Sequence, residues 1–489
     1  MPSLLSPPRV RRLLLPLLAL ACVAASGQAQ GERVFRAGAA TSNLTPPLGT
    51  SINGGFVDRR AEYVHDELQA RCLVLDDGRG YLAFAVVDAC MLPREITDAA
   101  RELLRREIQL PPERLLISAT HSHSAGTCAP VFQSEPDPEY PRFVARRIAD
   151  GVRRAVVNLA PAQIGWGSAS VPEEVFNRRW RMKPGTIPPN PFGGQDQVQM
   201  NPGVGSPNLV EPAGPTDPEV AFLSVRTPEG RPVALLANYS LHYVGGVEAS
   251  HLSADYFGVF ADRVQELLKA DRQEPPFVAM MTNGTSGDVN NINFRGTPGP
   301  PAKPYEKMRQ VAHRVAGAVH AALRNVRHQD RALLAAAQSE LTLRVRKPQP
   351  EEVARAREIL AKAKPGVLHE RDQVYARETV LMADYPEEVP LFLQALRIGD
   401  LAITAVPCEV FVEIGLELKR RSPIRPTFTI SLANGYNGYL PTPEHHALGG
   451  YETWRARSSY LEVDASRKIT DRLLNLLKQL GPGKQKAKG

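Results

Sequence analysis

Apolar positions along the chain fall into two rhythms, a period of two and a period near 3.6. Residues 68–77 (LQARCLVLDD) and 81–90 (YLAFAVVDAC) are dense in apolar and β-branched side chains around a turn at Gly78 and Gly80, so they predict a hairpin. Residues 94–110 carry helical spacing and stop at Pro111-Pro112, and 114–120 (RLLISAT) read as a short buried strand. The same reading predicts helices over 140–159, 256–269, 305–326, 350–362, 368–383 and 466–480. Strands are predicted over 162–168, 221–225, 233–240, 276–282, 391–397, 401–406 and 427–432. Residues 182–218 are rich in Pro, Gly, Asn and Gln and show no hydrophobic period, which marks an irregular insertion or functional loop. Strands and helices alternate without a fixed repeat. The expected class is α/β, with mixed β-sheets flanked by helices in a single large domain over residues 30–480.

Composition narrows the function classes. A hydrophobic fraction of 43% and a charged fraction of 23% over 489 residues exclude a disordered or fibrous chain. The formal charge is +7, and setting aside Arg9, Arg11 and Arg12 leaves +4, part of it from Lys484, Lys486 and Lys488 in the basic tail, residues 481–489. So small and scattered an excess does not make a nucleic-acid footprint, and no nucleic-acid partner is expected.

Residues 1–29 read as a secretory leader: a basic start at Arg9–Arg12, an apolar run from Leu13 to Ala25, and Gly27-Gln28-Ala29 as a small-x-small cleavage site. The apolar run is short for a membrane span, and no later stretch approaches spanning length. A secreted or periplasmic protein with no transmembrane segment is therefore expected. Cys72, Cys90, Cys128 and Cys408 contain no C-x-x-C pair, which excludes a zinc ribbon and favours buried free thiols.

Candidate chemistry sits at predicted strand exits. His121 and His123, in HSHSAG, follow the strand 114–120; an H-x-H pair can aim one imidazole at a metal and the other at a substrate, or be two polar loop residues. His242 leaves the strand 233–240. NGTSGDVNN (283–291) follows the strand 276–282, as a backbone cradle or, preferred for an isolated motif, a helix-start turn with Asp288 as its cap. Glu409 follows the strand 401–406 as a ligand or as the cap of a following helix. Tyr436, Tyr439 and Tyr451 lie in a loop whose rings act in the site or pack it against the body. His313, His320 and His328 read as surface or packing residues of a helix, while His65, His251, His445 and His446 stay unassigned. Ligands of α/β proteins gather at strand ends, so the recurrence favours a functional cluster.

Taken in order, these segments resemble the catalytic domain of the neutral/alkaline, non-lysosomal ceramidases. ATHSHSAG is similar to that family's T-H-T-H-S-G, and NYSLHYVGG with HLSADYFG to its histidine segment followed by L-S-S-D-N-x-G. NGTSGDVNN resembles N-x-G-D-V-S-P-N, AVPCEVF resembles A-V-P-G-E, and NGYNGYLPTPEHHALGGYE resembles N-x-Y-x-x-Y-x-T-x-E-E-Y with a later Y-E. The resemblance runs from about Phe35 to Leu480, except across 182–218, and the chain ends without the family's C-terminal β-sandwich. It implies a catalytic Zn2+ held by His121, His242, Glu409 and Tyr439. It further implies His123 as the acid–base group facing substrate, Tyr451 polarising the scissile carbonyl, and Arg178, in NRRWR, lining the pocket. The implied activity is hydrolysis of an N-acyl amide bond in sphingolipid metabolism, on a small-molecule or lipid substrate. Asn290 stands at the family's proposed catalytic serine as a substrate-binding residue, which turns the expectation from ceramide towards another amide or ester. A non-catalytic exported binding protein on the same fold is the alternative. An amidohydrolase barrel is disfavoured, because it requires H-x-H on an early strand and eightfold β/α alternation.

Overall fold

The computed structural model describes residues 34–300 and 302–481; the expected leader and all but the first residue of the basic tail lie outside them. Three main sheets organise the chain. The first has the order Leu115–Ala119, Tyr81–Val87, Gln69–Asp76, Arg36–Asn43 and Ala160–Pro161. The second runs Val278–Asn283, Pro232–Tyr239, Glu219–Arg226 and Gln163–Ser170, and the third Leu334–Arg344, Glu388–Ile398, Leu401–Ala405 and Thr427–Ile430. Each is antiparallel except for one parallel pair at an edge: Tyr81–Val87 with Leu115–Ala119, Pro232–Tyr239 with Val278–Asn283, and Leu401–Ala405 with Thr427–Ile430.

Period-two burial explains why the strand segments read as nearly unbroken apolar runs. Leu73, Leu75, Phe84 and Leu116 of the first sheet face a core shared with Leu223 and Met280 of the second and Ile403 and Phe428 of the third. Their neighbours Cys72, Val74, Ala83 and Ala85 face the other way, against Ile96 and Leu104 of the helix Arg94–Ile108 and Ile148 and Val152 of Tyr140–Val157. Helices Asp255–Leu267 and Glu306–Leu323 cover the second sheet, and Val412–Arg421 and Ala465–Leu480 the third. Sheets covered on both faces bury apolar residues at every position. Cys72, Cys90, Cys128 and Cys408, the cysteines among the described residues, are free and buried. Among the described residues no helix is long and apolar enough to cross a membrane.

The architecture is α/β, as expected, with three differences. Arg36–Asn43 (RAGAATSN) and Leu334–Arg344 (LAAAQSELTLR) are full strands that the pattern did not announce, since alanine and glycine supply neither β-branching nor a clean alternation. Val412–Arg421 is the following helix that one reading of Glu409 offered without bounds, but its N-cap is Phe411 and not Glu409. Residues 182–218, expected to be irregular, hold the short strands Val198–Met200 and Leu209–Pro212, paired on either side of Arg179–Met182. The ladder to a neighbouring strand satisfies the backbone there without any hydrophobic period in the sequence.

Parallel pairing places the functional segments. The carboxyl ends of strands in these parallel pairs deliver His121, His242, the turn 283–291 and Glu409. Residues 431–434 stitch those ends together through Ser431 N–H to Asn283 O (3.0 Å), Leu432 N–H to Cys408 O (3.0 Å), Ala119 N–H to Leu432 O (3.0 Å) and Asn434 N–H to Ile117 O (2.7 Å).

Candidate metal centre

His121 leaves its strand with φ at 75°, in the left-handed region, and its N–H bonds Ala89 O at 2.9 Å. That turn aims the imidazole inward, where Nδ1 meets Cys90 O at 2.7 Å. His242 sets Nδ1 against Ser286 O at 3.0 Å, and His123 sets Nδ1 against Gly54 O at 2.7 Å. A carbonyl only accepts, so each Nδ1 carries the hydrogen and each Nε2 keeps its lone pair. The three lone pairs converge: His121 Nε2 is 3.2 Å from His242 Nε2 and 3.2 Å from His123 Nε2. Glu409 Oε2 stands 3.2 Å from the same His121 nitrogen and is buried without a hydrogen-bond partner, while Oε1 accepts from Tyr436 O–H at 3.1 Å.

Four acceptor atoms in one buried space cannot satisfy one another. A proton on His121 Nε2 serves one neighbour at a time, whereas a cation between them serves all. The charges respond accordingly. Burial alone would depress His121, but the Glu409 carboxylate and Cys90 outweigh it and hold the imidazole well above its ordinary pKa. His123 is held well below its ordinary value by burial and then by His121, and His242 by burial and then by the Arg178 guanidinium. His121, His242 and Glu409 thus offer two imidazole nitrogens and a carboxylate oxygen within 4.8 Å of one another, a donor set that fits a divalent metal ion.

Tyr439 joins through backbone register. Glu409–Val410 and Tyr439–Leu440 form a short parallel pair with Glu409 opposite Tyr439, so the two side chains share a face. Gly287 permits the close approach of its turn, because a Cβ there would lie 2.6 Å from Glu409 O. Arg178 completes the floor: Nη2–H donates to Tyr439 Oη at 3.1 Å and Gly287 O at 2.8 Å, and Nη1–H reaches His242 Nε2 at 3.2 Å. Its Nε–H donates to Glu452 Oε1 at 3.0 Å, and Arg179 Nη1–H to Glu452 Oε2 at 2.6 Å, so one buried carboxylate balances two buried guanidinium groups.

A cavity of about 350 Å³ opens over this floor. His123, Arg178, His242, Tyr439 and Tyr451 line its base, and Phe56, Tyr243 and Trp454 its aromatic wall. Residues of the segment 182–218, among them Ile187, Val198, Met200 and Asn201, form the opposite wall. Burial pushes the Tyr451 hydroxyl up, and the group stays a neutral donor.

The structure therefore brings together His121, His123, Arg178, His242, Glu409, Tyr439 and Tyr451. Asn290 is placed one step back: its Nδ2–H donates to Asn201 Oδ1 at 2.9 Å, its Oδ1 accepts Ile292 N–H at 2.9 Å, and Asn201 rather than Asn290 lines the cavity. The helix-start reading of 283–291 is not met: Val289–Asn290 form a short strand and no helix begins there, while Asp288 accepts Val412 N–H at 2.9 Å at the start of the distant helix Val412–Arg421. His445 lies away from the cluster, its ring edge-on to Phe411, and His65 stacks on Tyr305. Sequence reasoning missed Tyr243, which stacks on His123 with ring centroids 3.7 Å apart, together with Gly54 and Glu452. Tyr243 and Glu452 adjoin recognised residues, His242 and Tyr451, and Gly54 adjoins none; adjacency in sequence does not reveal a stacking face or a carbonyl direction.

No protein-family model matches the sequence. Among solved structures, the chain is similar to neutral ceramidase from Pseudomonas aeruginosa, with a TM-score of 0.70 and 17% identity over 91% of this chain and 74% of that one. It is also similar to a ceramidase complexed with C2, with a TM-score of 0.68 and 16% identity over 92% of this chain and 76% of that one. The chain thus has the fold of the neutral ceramidases.

Proposed function

We propose that the chain is an exported, zinc-dependent hydrolase of amide (N-acyl) bonds, ceramidase-like in its core, with His121, His242, Glu409 and Tyr439 holding the ion. The observation that carries this reading is the convergence of His242 Nε2, His123 Nε2 and the unpartnered Glu409 oxygen on His121 Nε2, each 3.2 Å away. When bound, zinc acts as a Lewis acid on a carbonyl and makes water acidic enough to serve as a nucleophile near neutral pH. His123, neutral and oriented by Gly54 O, takes a proton from the attacking water and returns it to the leaving nitrogen. Arg178 and the Tyr451 hydroxyl, both lining the cavity base, supply donors to the oxygen that gains charge as the carbonyl becomes tetrahedral. Export rests on the leader-like residues 1–29.

The Asn290–Asn201 hydrogen bond favours an N-acyl amide or ester other than ceramide, because a carboxamide pair fills the place of the family's serine. Metal analysis of the purified protein, with turnover on a panel of N-acyl lipids, N-acyl amino acids and simple esters, tests the proposal. One equivalent of zinc and metal-dependent hydrolysis are expected. His121→Ala and His242→Ala should lose metal and turnover together, and full zinc occupancy in both variants would remove the ligand assignment.

A further inference from the structure

The cavity lining holds two guanidinium groups, Arg178 and Arg371, and one carboxylate, Asp196. Of its charged lining groups, Arg178 is matched by Glu452. Asp196 is spoken for on both oxygens, accepting Asn190 Nδ2–H at 3.0 Å and Trp454 Nε1–H at 2.7 Å. Arg371, also in the lining, forms no ion pair among the described residues. It is nonetheless held in place: its guanidinium lies 5.2 Å from the Trp454 ring centroid, and one Nη2–H donates to Pro189 O at 2.9 Å. Trp454 in turn sits 6.0 Å from the Tyr451 ring, and Tyr451 5.8 Å from Tyr439, so an aromatic row leads from the metal-side floor to this cation.

A guanidinium anchored by stacking and one backbone bond keeps its other N–H groups directed and loses little freedom on binding. This is the arrangement that recognises a carboxylate. A neutral sphingoid diol offers no counter-charge to it. We infer that the substrate is an N-acyl amide bearing a carboxylate, and that Arg371 pairs with that carboxylate while the amide lies over the floor. This rests on the hydrolase reading above for the identity of the scissile bond, and it adds the charge of the substrate.

The test uses non-hydrolysable sulfonamides on the full, zinc-loaded chain at low ionic strength, with affinity read by calorimetry. N-(octylsulfonyl)-4-aminobutanoate carries the carboxylate on the amine half, N-octyl-3-carboxypropanesulfonamide on the acyl half, and N-(octylsulfonyl)ethanolamine is neutral. One of the two carboxylated probes should bind roughly 2- to 5-fold more tightly than the neutral one, the range for a pair with a solvent-exposed guanidinium, and which one does so identifies the half. Arg371→Met should abolish the advantage and Arg371→Lys should keep part of it. Equal affinities, tighter binding of the neutral probe, or an advantage that survives Arg371→Met overturns the inference. Hydrolysis of the matching carboxamides is followed separately. Carboxylate-selective binding without turnover of any amide removes the hydrolase reading alone, whereas turnover of all three amides without preference removes only the inference.

Discussion

Gly54→Ala should damage the site through His123 while leaving the metal ligands in place. Gly54 has φ at +116°, where a residue with a side chain is strained, and a Cβ there would stand 2.6 Å from Cβ, Cγ and Nδ1 of His123. The imidazole cannot retreat, because Tyr243 stacks on it at 3.7 Å with the planes 18° apart. The loop must move instead, and with it the Gly54 carbonyl that fixes the His123 tautomer at 2.7 Å. Backbone strain of this kind costs about 1–3 kcal/mol of stability. Loss of a positioned acid–base group lowers turnover by roughly 10²–10⁴ at the limit, so Gly54→Ala should approach the lower figure. Gly55→Ala is the control: its Cβ would meet only Val57 O, at 3.9 Å, and both stability and turnover should stay near wild type. The assays are kcat on the best amide of the panel, zinc per chain and the urea midpoint, for both variants. Wild-type turnover in Gly54→Ala would refute the role given to this carbonyl. Loss of zinc would show that His123 belongs to the metal shell and not to the substrate side.

Glu452→Gln leaves Arg178 and Arg179 buried without a counter-charge and should cost about 3–5 kcal/mol in urea unfolding; a loss under about 1 kcal/mol would mean that the network is not a charge balance. Asp255 is fully buried, and burial raises its carboxyl from 3.8 to about 6 against the pull of the Tyr256, Gly245 and Val244 N–H groups. Its contribution to stability is therefore complete below about pH 3.8 and fades as pH rises through about 6, by roughly 3 kcal/mol. Relative to Asp255→Asn, the wild type should lose that amount between pH 4 and 6 in urea titrations, and a pH-independent difference would contradict the assignment. Asn290→Ser alone should create no ceramide hydrolysis, since Asn201 stands between position 290 and the cavity; ceramide turnover in the single variant would show the screen to be open.

The strand exits were legible because each functional group follows an apolar run long enough to be a strand. The run 114–120 ends at His121, 233–240 at His242 and 401–406 at Glu409, and the sheets carry all three to one place. Arg36–Asn43 and Leu334–Arg344 were not legible. A central strand of Ala and Gly is specified by its neighbours: Gly38 has no room for a Cβ, which would lie 2.2 Å from Ala155 O, a constraint set by the helix Tyr140–Val157. The short strands within 182–218 were hidden for the same reason, since Arg179–Met182 supplies their pairing. Local pattern reports what a segment contributes to a core and is silent on what a partner contributes to the segment.

The same distinction explains how such a site persists under extensive sequence change. The three imidazoles are oriented by main-chain carbonyls of Cys90, Ser286 and Gly54, with the Arg178 guanidinium adding a donor to His242 Nε2. Glu409 and Tyr439 are brought to one face by strand register, which depends on backbone hydrogen bonds. Side-chain identity is then demanded of the candidate ligands, of His123, Arg178, Tyr451 and Glu452 beside them, and of glycines such as Gly54 and Gly287, where a Cβ would collide. Everything around them can drift as long as the strand ends stay in place, which is consistent with a shared fold at 17% identity. The cavity wall has backbone anchors of its own, the pairing of Val198–Met200 with Arg179–Met182 and the Asn201 N–H bond to Arg178 O at 2.9 Å, but residues 182–218 supply none of the candidate ligands, so their lining side chains can change with the substrate while the floor stays constant.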